Sequence, residues 1–344
     1  MKMKEAMFYE KIEDNKVRCG LCARNCVIPE GGTGFCRVRK NIGGRLYSLV
    51  YDKVNSTTPN PIEKKPCYNF APGSWAFSIC TPGCNWRCKY CCNWSISQES
   101  EIEGRGIAPE EIVQLARNSG CQGISYTFTE PTIFYELSYD TAKLAHKEGL
   151  YNTWVTNGYT NPEPIKEISR YLDAATVDFK GSGDEKFLQE FSAVPTPEPI
   201  YKALMEYKKQ DVHIEITDLI VPRVGDSMEK VKELVEWIKE NLGDETPIHF
   251  LRFFPTYQVR DIPETPLKTL EKAYDIAKAA GMKYVYLGNV AERNNTYCPN
   301  CKKLLIKRQG MGTIEYKLKE GKCPYCGEEI NIRGVKWIPS GLKQ

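Results

Sequence analysis

Residues 75–92 read WAFSICTPGCNWRCKYCC. Trp75, Phe77 and Ile79 alternate as in a strand, and that strand feeds a loop in which Cys84, Cys88 and Cys91 stand at C-x3-C-x2-C spacing. Three thiolates so spaced can each ligate one iron of a cubane 4Fe-4S cluster, whereas a structural cluster takes four cysteines. One iron is then left open for chemistry. The same residues also suit a zinc knuckle or a lone electron-transfer cluster.

Downstream, the periodicity alternates between helix and strand. IAPEEIVQLARNSG has Pro109 and two acids at its start, apolar Ile112, Val113, Leu115 and Ala116 on one flank, and Gly120 as a stop, which predicts a helix. GISYTF predicts a strand, followed by a helix near 132–148, a strand LYNTWVT, a helix through KEISRYL and a strand AATVDF. The second half predicts a helix near 197–209, a strand VHIEITDLIV, a helix MEKVKELVEWIKENLG, a strand IHFLRFF, a helix near 266–280 and a strand KYVYLG. Strands separated by helices lie parallel with right-handed crossovers, so the expected fold is α/β, a partial or complete parallel β/α barrel over residues 74–290. Reacting groups in such a barrel gather at the C-terminal strand ends, where TFTEP, VTNGY and VDFKG fall here.

Both flanks are rich in cysteine. Residues 1–73 are expected to form a metal-binding extension and linker: Cys19, Cys22 and Cys26 stand at C-x2-C-x3-C spacing, and Cys36 follows a turn-rich GGTG. So small a unit lacks the apolar mass to fold alone, and a bound metal, zinc or a second iron-sulfur cluster, supplies the missing energy. PNPIEKKPCYNFAPG (59–73) reads as an ordered linker. Residues 291–344 carry Cys298, Cys301, Cys323 and Cys326 as two C-x2-C knuckles, a zinc-ribbon or rubredoxin-like module with a closed S4 site that suits zinc better than iron. Cys67, Cys80, Cys92 and Cys121 read as packed thiols, and His146, His213 and His249 as structural or exposed.

The totals narrow the class. A chain of 344 residues with 41% hydrophobic content is long enough to bury a sizeable core. Its 47 Lys and Arg against 44 Asp and Glu are too balanced for a dedicated nucleic-acid surface. Fifteen cysteines, most of them in tight clusters, point to metal rather than disulfides and so to a reducing compartment. No apolar run has the length of a signal peptide core or a membrane span, and a cytoplasmic protein is expected.

The cysteine loop resembles that of the radical S-adenosylmethionine (SAM) superfamily. The whole chain, with both cysteine-rich ends, resembles its AmmeMemoRadiSam family, which is related to pyruvate formate-lyase activating enzyme; NTYCPNC and KLLIKR carry the narrower match, while IEKKP resembles the signature that precedes the radical loop in the activating-enzyme relatives. The resemblance implies that the open iron chelates SAM through its amino and carboxylate groups, and Tyr90 matches the aromatic position before the third cysteine. Thr129 and Glu130 match the segment that receives the SAM amino group, with Phe128 and Thr129 in place of the usual glycines. Asn157 with Gly158 can approach the ribose or simply turn the chain. Asp178 and Lys180 match residues that position SAM, and Arg223 can meet the SAM carboxylate or a substrate anion. Asn69 and Phe254 stand where relatives often have histidine.

The implied activity is reductive cleavage of SAM to a 5'-deoxyadenosyl radical that abstracts hydrogen. An electron donor such as ferredoxin or flavodoxin would serve it, and a protein partner that receives a glycyl radical is the expected substrate. The alternatives are a small-molecule substrate, or a non-catalytic metal-stabilised module that binds nucleic acid or protein.

Overall fold

The computed structural model describes residues 3–98 and 101–342. Seven parallel strands form its centre, in the spatial order Trp75–Cys80, Gly123–Tyr126, Tyr151–Thr156, Ala174–Lys180, His213–Ile220, Ile248–Arg252 and Val285–Gly288. They are buried on both faces, as strands covered by crossover helices are, and their side chains read as near-continuous apolar runs. Ser56–Pro61 adds an antiparallel strand beside Trp75–Cys80. It does not pair with Val285–Gly288, so the sheet stays open and the barrel is partial. Part of the expected linker is therefore a strand. Pro59 and Pro61 donate no backbone N–H, which an edge strand tolerates and a central one does not.

Six helices make the crossovers: Pro109–Asn118, Tyr135–Lys147, Pro162–Ile168, Glu198–Lys209, Met228–Asn241 and Leu267–Ala279. The first starts on Pro109, carries Glu110 and Glu111 in its first turn and buries Ile112, Val113 and Ala116. The helix expected through KEISRYL instead starts at Pro162 and stops at Ile168. An unexpected helix, Glu185–Ser192, is capped by the Asp184 carboxylate, which accepts the Phe187 N–H at 2.7 Å.

The N-terminal residues form two small antiparallel sheets whose buried Val17, Leu21, Ile28 and Leu46 belong to the same apolar cluster as the barrel. They are also tied to it by charge. Arg39 makes two hydrogen bonds to Glu136 at 3.0 Å each, with side chains 2% and 1% exposed, and Met7 closes the arrangement through its N–H and carbonyl.

At the opposite end, where strands His213–Ile220 and Ile248–Arg252 begin, Glu215 is fully buried. It accepts the amides of Asn69 (2.7 Å) and Tyr68 (2.9 Å) and pairs with His213 (3.1 Å) and His249 (2.7 Å). Asn69 in turn accepts from Tyr286 Oη at 2.7 Å and donates to the Asn331 carbonyl, and Arg308 reaches the Tyr68 carbonyl at 2.6 Å. This network seats the C-terminal module against the end of the sheet that lies away from the cysteine loop.

Burial alone would raise the Glu215 pKa, yet hydrogen bonds from both histidines bring it down to about 2 from 4.5. A carboxylate held below its unfolded value stabilises the fold fully above about pH 4.5, and that contribution is lost as pH falls toward 2. Glu215→Gln is expected to cost on the order of 3 kcal/mol near neutral pH. Denaturant unfolding of both proteins checks this: the gap between them is constant around neutrality and narrows below about pH 4.5.

Candidate active site and its metal ligands

Strand Trp75–Cys80 hands the chain to the cysteine loop at the C-terminal end of the sheet. Gly83 there has φ +100°, and a Cβ on it would lie 2.7 Å from Val38 and 3.1 Å from the Cys36 carbonyl oxygen. Only glycine lets the N-terminal module press this closely on the loop. The last carbonyls of helix Glu185–Ser192 accept loop amides: Ser192 from Arg87 at 3.0 Å and Phe191 from Lys89 at 2.8 Å. Arg87 bridges the Cys84 carbonyl (2.7 Å) and the Phe35 carbonyl, and Gln98 holds the Cys88 carbonyl at 2.7 Å. Backbone oxygens are pinned while the sulfurs remain available.

The donor set fits a cluster. Burial pushes the Cys84 thiol up, helped by Glu130 and Cys88; burial and neighbouring Cys91 push Cys88 up to about 11. A bound cation reverses that cost by taking the thiolates. Among the described residues, Cys298, Cys301, Cys323 and Cys326 are the one group of three or more His, Cys, Asp or Glu whose ligand atoms all lie within 4.8 Å of one another. Cys84, Cys88 and Cys91 do not form such a group.

Around this loop the strand ends converge. Phe128 adopts φ +65°, so the backbone keeps a conformation suited to glycine although the residue is not one, and its ring is held 4.2 Å from Lys65 Nζ. Lys65 is buried, which pulls its ammonium down to about 7. Thr129 Oγ1 donates to the Thr81 carbonyl at 2.8 Å. The Glu130 carboxylate is filled by donors of its own chain: Thr132 N–H (3.1 Å), Thr132 Oγ1 (2.6 Å), Thr156 Oγ1 (2.7 Å) and Asn157 N–H (2.8 Å). It caps the turn that follows and fixes the end of the third parallel strand.

Asn157 uses that anchorage to reach the loop. Its Nδ2 donates to Asn85 Oδ1 at 2.8 Å and lies 3.9 Å from Cys84 Sγ. Gly158 follows at φ +68°, where a Cβ would sit 2.9 Å from both Ile200 and Val177. Asp178 accepts from Thr217 Oγ1 and from Lys180 Nζ, the latter at 2.8 Å. Burial alone would lower the Lys180 pKa; Asp178, with Cys88 and Cys92 nearby, raises it instead. The tyrosine before the third cysteine packs inward: Tyr90 Oη meets Ser192 Oγ at 2.7 Å and its ring stacks on Phe187.

Residues at and after the ends of the fifth and sixth parallel strands complete this end of the sheet. Arg223 is exposed at φ +70° and has no side-chain hydrogen bond or ion pair among the described residues. Arg252 is engaged by Glu264 and the Thr265 carbonyl, Tyr257 stacks on Trp94 at 5.0 Å, and Phe254 is 47% exposed. Cys92, expected as a packed thiol, is exposed beside Cys91, whereas Cys67, Cys80 and Cys121 are buried. Sequence reasoning missed Asn85, Ser192 and Thr217. Asn85 lies inside the cysteine loop and was within reach of a local reading; the other two are brought in by long-range packing and left no local signal.

In the C-terminal module the Cys298–Cys326 and Cys301–Cys323 sulfur pairs are each 3.6 Å apart, close to the roughly 3.8 Å edge of a tetrahedron with 2.3 Å metal–sulfur bonds. Four thiolates so placed could hold one metal ion in a closed site.

An open parallel α/β sheet with a three-cysteine loop at the C-terminal end of its first parallel strand defines a class, and the family model described as the radical SAM superfamily matches residues 78–238. Residues 78–238 thus carry a radical SAM superfamily domain. The chain is 46% identical over 336 residues to the uncharacterized protein MJ0808 of Methanocaldococcus jannaschii, covering 96% of this chain and 99% of that one. It is also 24% identical over 181 residues to the 4-hydroxyphenylacetate decarboxylase activating enzyme of Clostridium scatologenes, covering 51% of this chain and 55% of that enzyme. Among solved structures, a domain of pyruvate-formate lyase-activating enzyme from Bacteroides vulgatus superposes with TM-score 0.43 at 19% identity, covering 48% of this chain and 99% of that domain. Among the described residues, no helix is long and apolar enough to cross a membrane.

Proposed function

We propose that this chain is a radical SAM enzyme that removes a hydrogen atom from a protein partner. The observation that carries the reading is the gathering of Cys84, Cys88 and Cys91 with Asn157 and the Asp178–Lys180 pair at the C-terminal mouth of an open sheet. Cys84, Cys88 and Cys91 would hold a 4Fe-4S cluster that, with SAM on its open iron and one electron supplied, yields a 5'-deoxyadenosyl radical.

The residues of the chain then bind, orient and shield. Lys180, kept protonated by Asp178, presents a cation to a carboxylate. Glu130 acts through Asn157 as a positioning residue, holding its amide at 2.8 Å so that the Asn157 side chain stays against Cys84. Arg223, exposed and unengaged, is available to an anion of SAM or substrate. Trp94 stacks on Tyr257 just beyond the cysteine loop, an aromatic pair that suits a peptide segment better than a small polar substrate. The activating-enzyme relative supports a protein substrate and an external one-electron donor such as ferredoxin or flavodoxin. Zinc is assigned to Cys298, Cys301, Cys323 and Cys326, because four thiolates within 4.8 Å of one another suit a closed tetrahedral site.

Anaerobic reconstitution with iron and sulfide, followed by reduction in the presence of SAM, tests the reading. Formation of 5'-deoxyadenosine and methionine is expected. A colourless, zinc-only protein that leaves SAM intact would instead favour a metal-stabilised binding module.

A further inference from the structure

Four cations crowd the cysteine loop with no carboxylate paired to them. Arg87 and Lys89 stand in the loop itself, and Arg24 and Arg37 come to it from the N-terminal residues. Arg37 and Lys89 are exposed, Arg24 and Arg87 half-buried, and among the described residues none of the four forms an ion pair. The arginines donate to backbone oxygens instead. Arg24 reaches the carbonyls of Asn85 (2.9 Å) and Ala193, Arg37 that of Gln98 (3.1 Å), and Arg87 those of Cys84, Trp86 and Phe35. Neutral carbonyls orient these groups without cancelling their charge. Elsewhere at this end of the sheet the pattern differs: Lys180 is matched by Asp178 and Arg252 by Glu264, both at 2.8 Å.

The four form one patch. The Phe35 ring lies between the guanidinium groups of Arg24 (4.0 Å) and Arg87 (4.5 Å), and Lys89 Nζ lies 5.3 Å from the Phe191 ring. Helix Glu185–Ser192 ends among them: the Phe191 and Ser192 carbonyls accept the Lys89 and Arg87 amides, and the next carbonyl, that of Ala193, accepts from Arg24. A helix C-terminus carries roughly half a negative charge, which offsets only a fraction of four positive ones. The thiolates of Cys84, Cys88 and Cys91 are the other candidate partner for this charge.

Position favours an outside partner. Arg87 and Lys89 flank Cys88 in the chain, so a molecule seated on the patch lies against the segment that holds the cluster ligands. Cations spread over two parts of the chain suit a protein surface rich in Asp and Glu better than a single small anion, and opposite charge speeds and orients such encounters.

We propose that Arg24, Arg37, Arg87 and Lys89 form the docking face for an acidic one-electron carrier protein of the ferredoxin class. The destination of the electron rests on the radical SAM reading above. One electron leaves the reduced carrier for the cluster held by Cys84, Cys88 and Cys91; the carrier is oxidised, the cluster reduced, and no bond forms or breaks.

Stopped-flow reduction of the anaerobically reconstituted full chain tests this, with reduced ferredoxin beside the methyl viologen radical, a small cation that needs no docking face. Raising salt from about 0.01 to 0.15 M shortens the screening length from roughly 30 to 8 Å and should slow the ferredoxin reaction about tenfold. Arg37→Glu with Lys89→Glu should slow it about tenfold at low salt and flatten the salt dependence, while reduction by viologen and the response of the reduced signal to SAM are kept.

A ferredoxin rate equal to that of the natural protein would overturn the docking face. So would equal slowing with both reductants and a lowered cluster potential, which would give the cations to the thiolates, or a short single-stranded RNA that binds the natural protein and not the variant while ferredoxin reduces both alike. Slowing confined to ferredoxin, with no response to SAM in either protein, would uphold the docking face and sink the radical SAM reading. Should the variant fail to fold, ferredoxin binding to the natural protein decides: saturable binding at low salt that is lost at high salt supports the face, and no binding at low salt overturns it.

Discussion

Replacing Cys84 by alanine is expected to reduce 5'-deoxyadenosine formation to the background of reductant and SAM alone, while the chain keeps its fold. The sulfur lost is the one that Asn157 approaches at 3.9 Å and the Trp86 amide at 3.4 Å, so no neighbouring cysteine can take its place without moving the loop. Cys298→Ala should behave in the opposite way. Its site lies beyond the Glu215 network at the far end of the strands, so SAM cleavage per folded chain stays near that of the natural protein while the thermal midpoint falls. Quantifying 5'-deoxyadenosine beside circular dichroism melts separates the two. Equal loss of cleavage in both variants, each folded, would defeat this division of labour.

The largest expected effect on stability lies between the modules. Glu136→Ala leaves the Arg39 guanidinium buried without its carboxylate, and removing one partner of such a pair costs about 3–5 kcal/mol. It also strands the Met7 amide, which donates to Glu136 at 2.7 Å. The N-terminal sheets share one apolar cluster with the barrel, so the loss should appear as a lowered midpoint of the whole transition in denaturant. A cost under about 1 kcal/mol, as for an exposed pair, would mean that the two units are not joined through this contact.

Much of this was legible in the sequence because the signals are local. Cysteine spacing marked the C-terminal quartet, whose four sulfurs lie within 4.8 Å of one another, and Pro109, the paired acids and Gly120 framed a helix that runs from Pro109 to Asn118. What stayed hidden depends on contacts between distant residues. Arg39 and Glu136 are far apart in the chain, and no periodicity links them. Glu130 stands where a ligand acceptor is expected, yet its oxygens are engaged by Thr132, Thr156 and Asn157, two of which come from the next strand end. Phe128 shows the converse: a residue that departs from glycine while its φ of +65° retains glycine's conformation. The edge strand Ser56–Pro61 escaped notice because its prolines argue against a strand everywhere except at an edge.

The account stands on an iron that receives no protein ligand. The most direct measurement is the electron paramagnetic resonance spectrum of the reduced protein, recorded with and without SAM. One signal, the one missing from Cys84→Ala, should change its g values when SAM is added. A spectrum that saturating SAM leaves unaltered would mean that the Cys84 site has no open position, and the radical chemistry would fall with it.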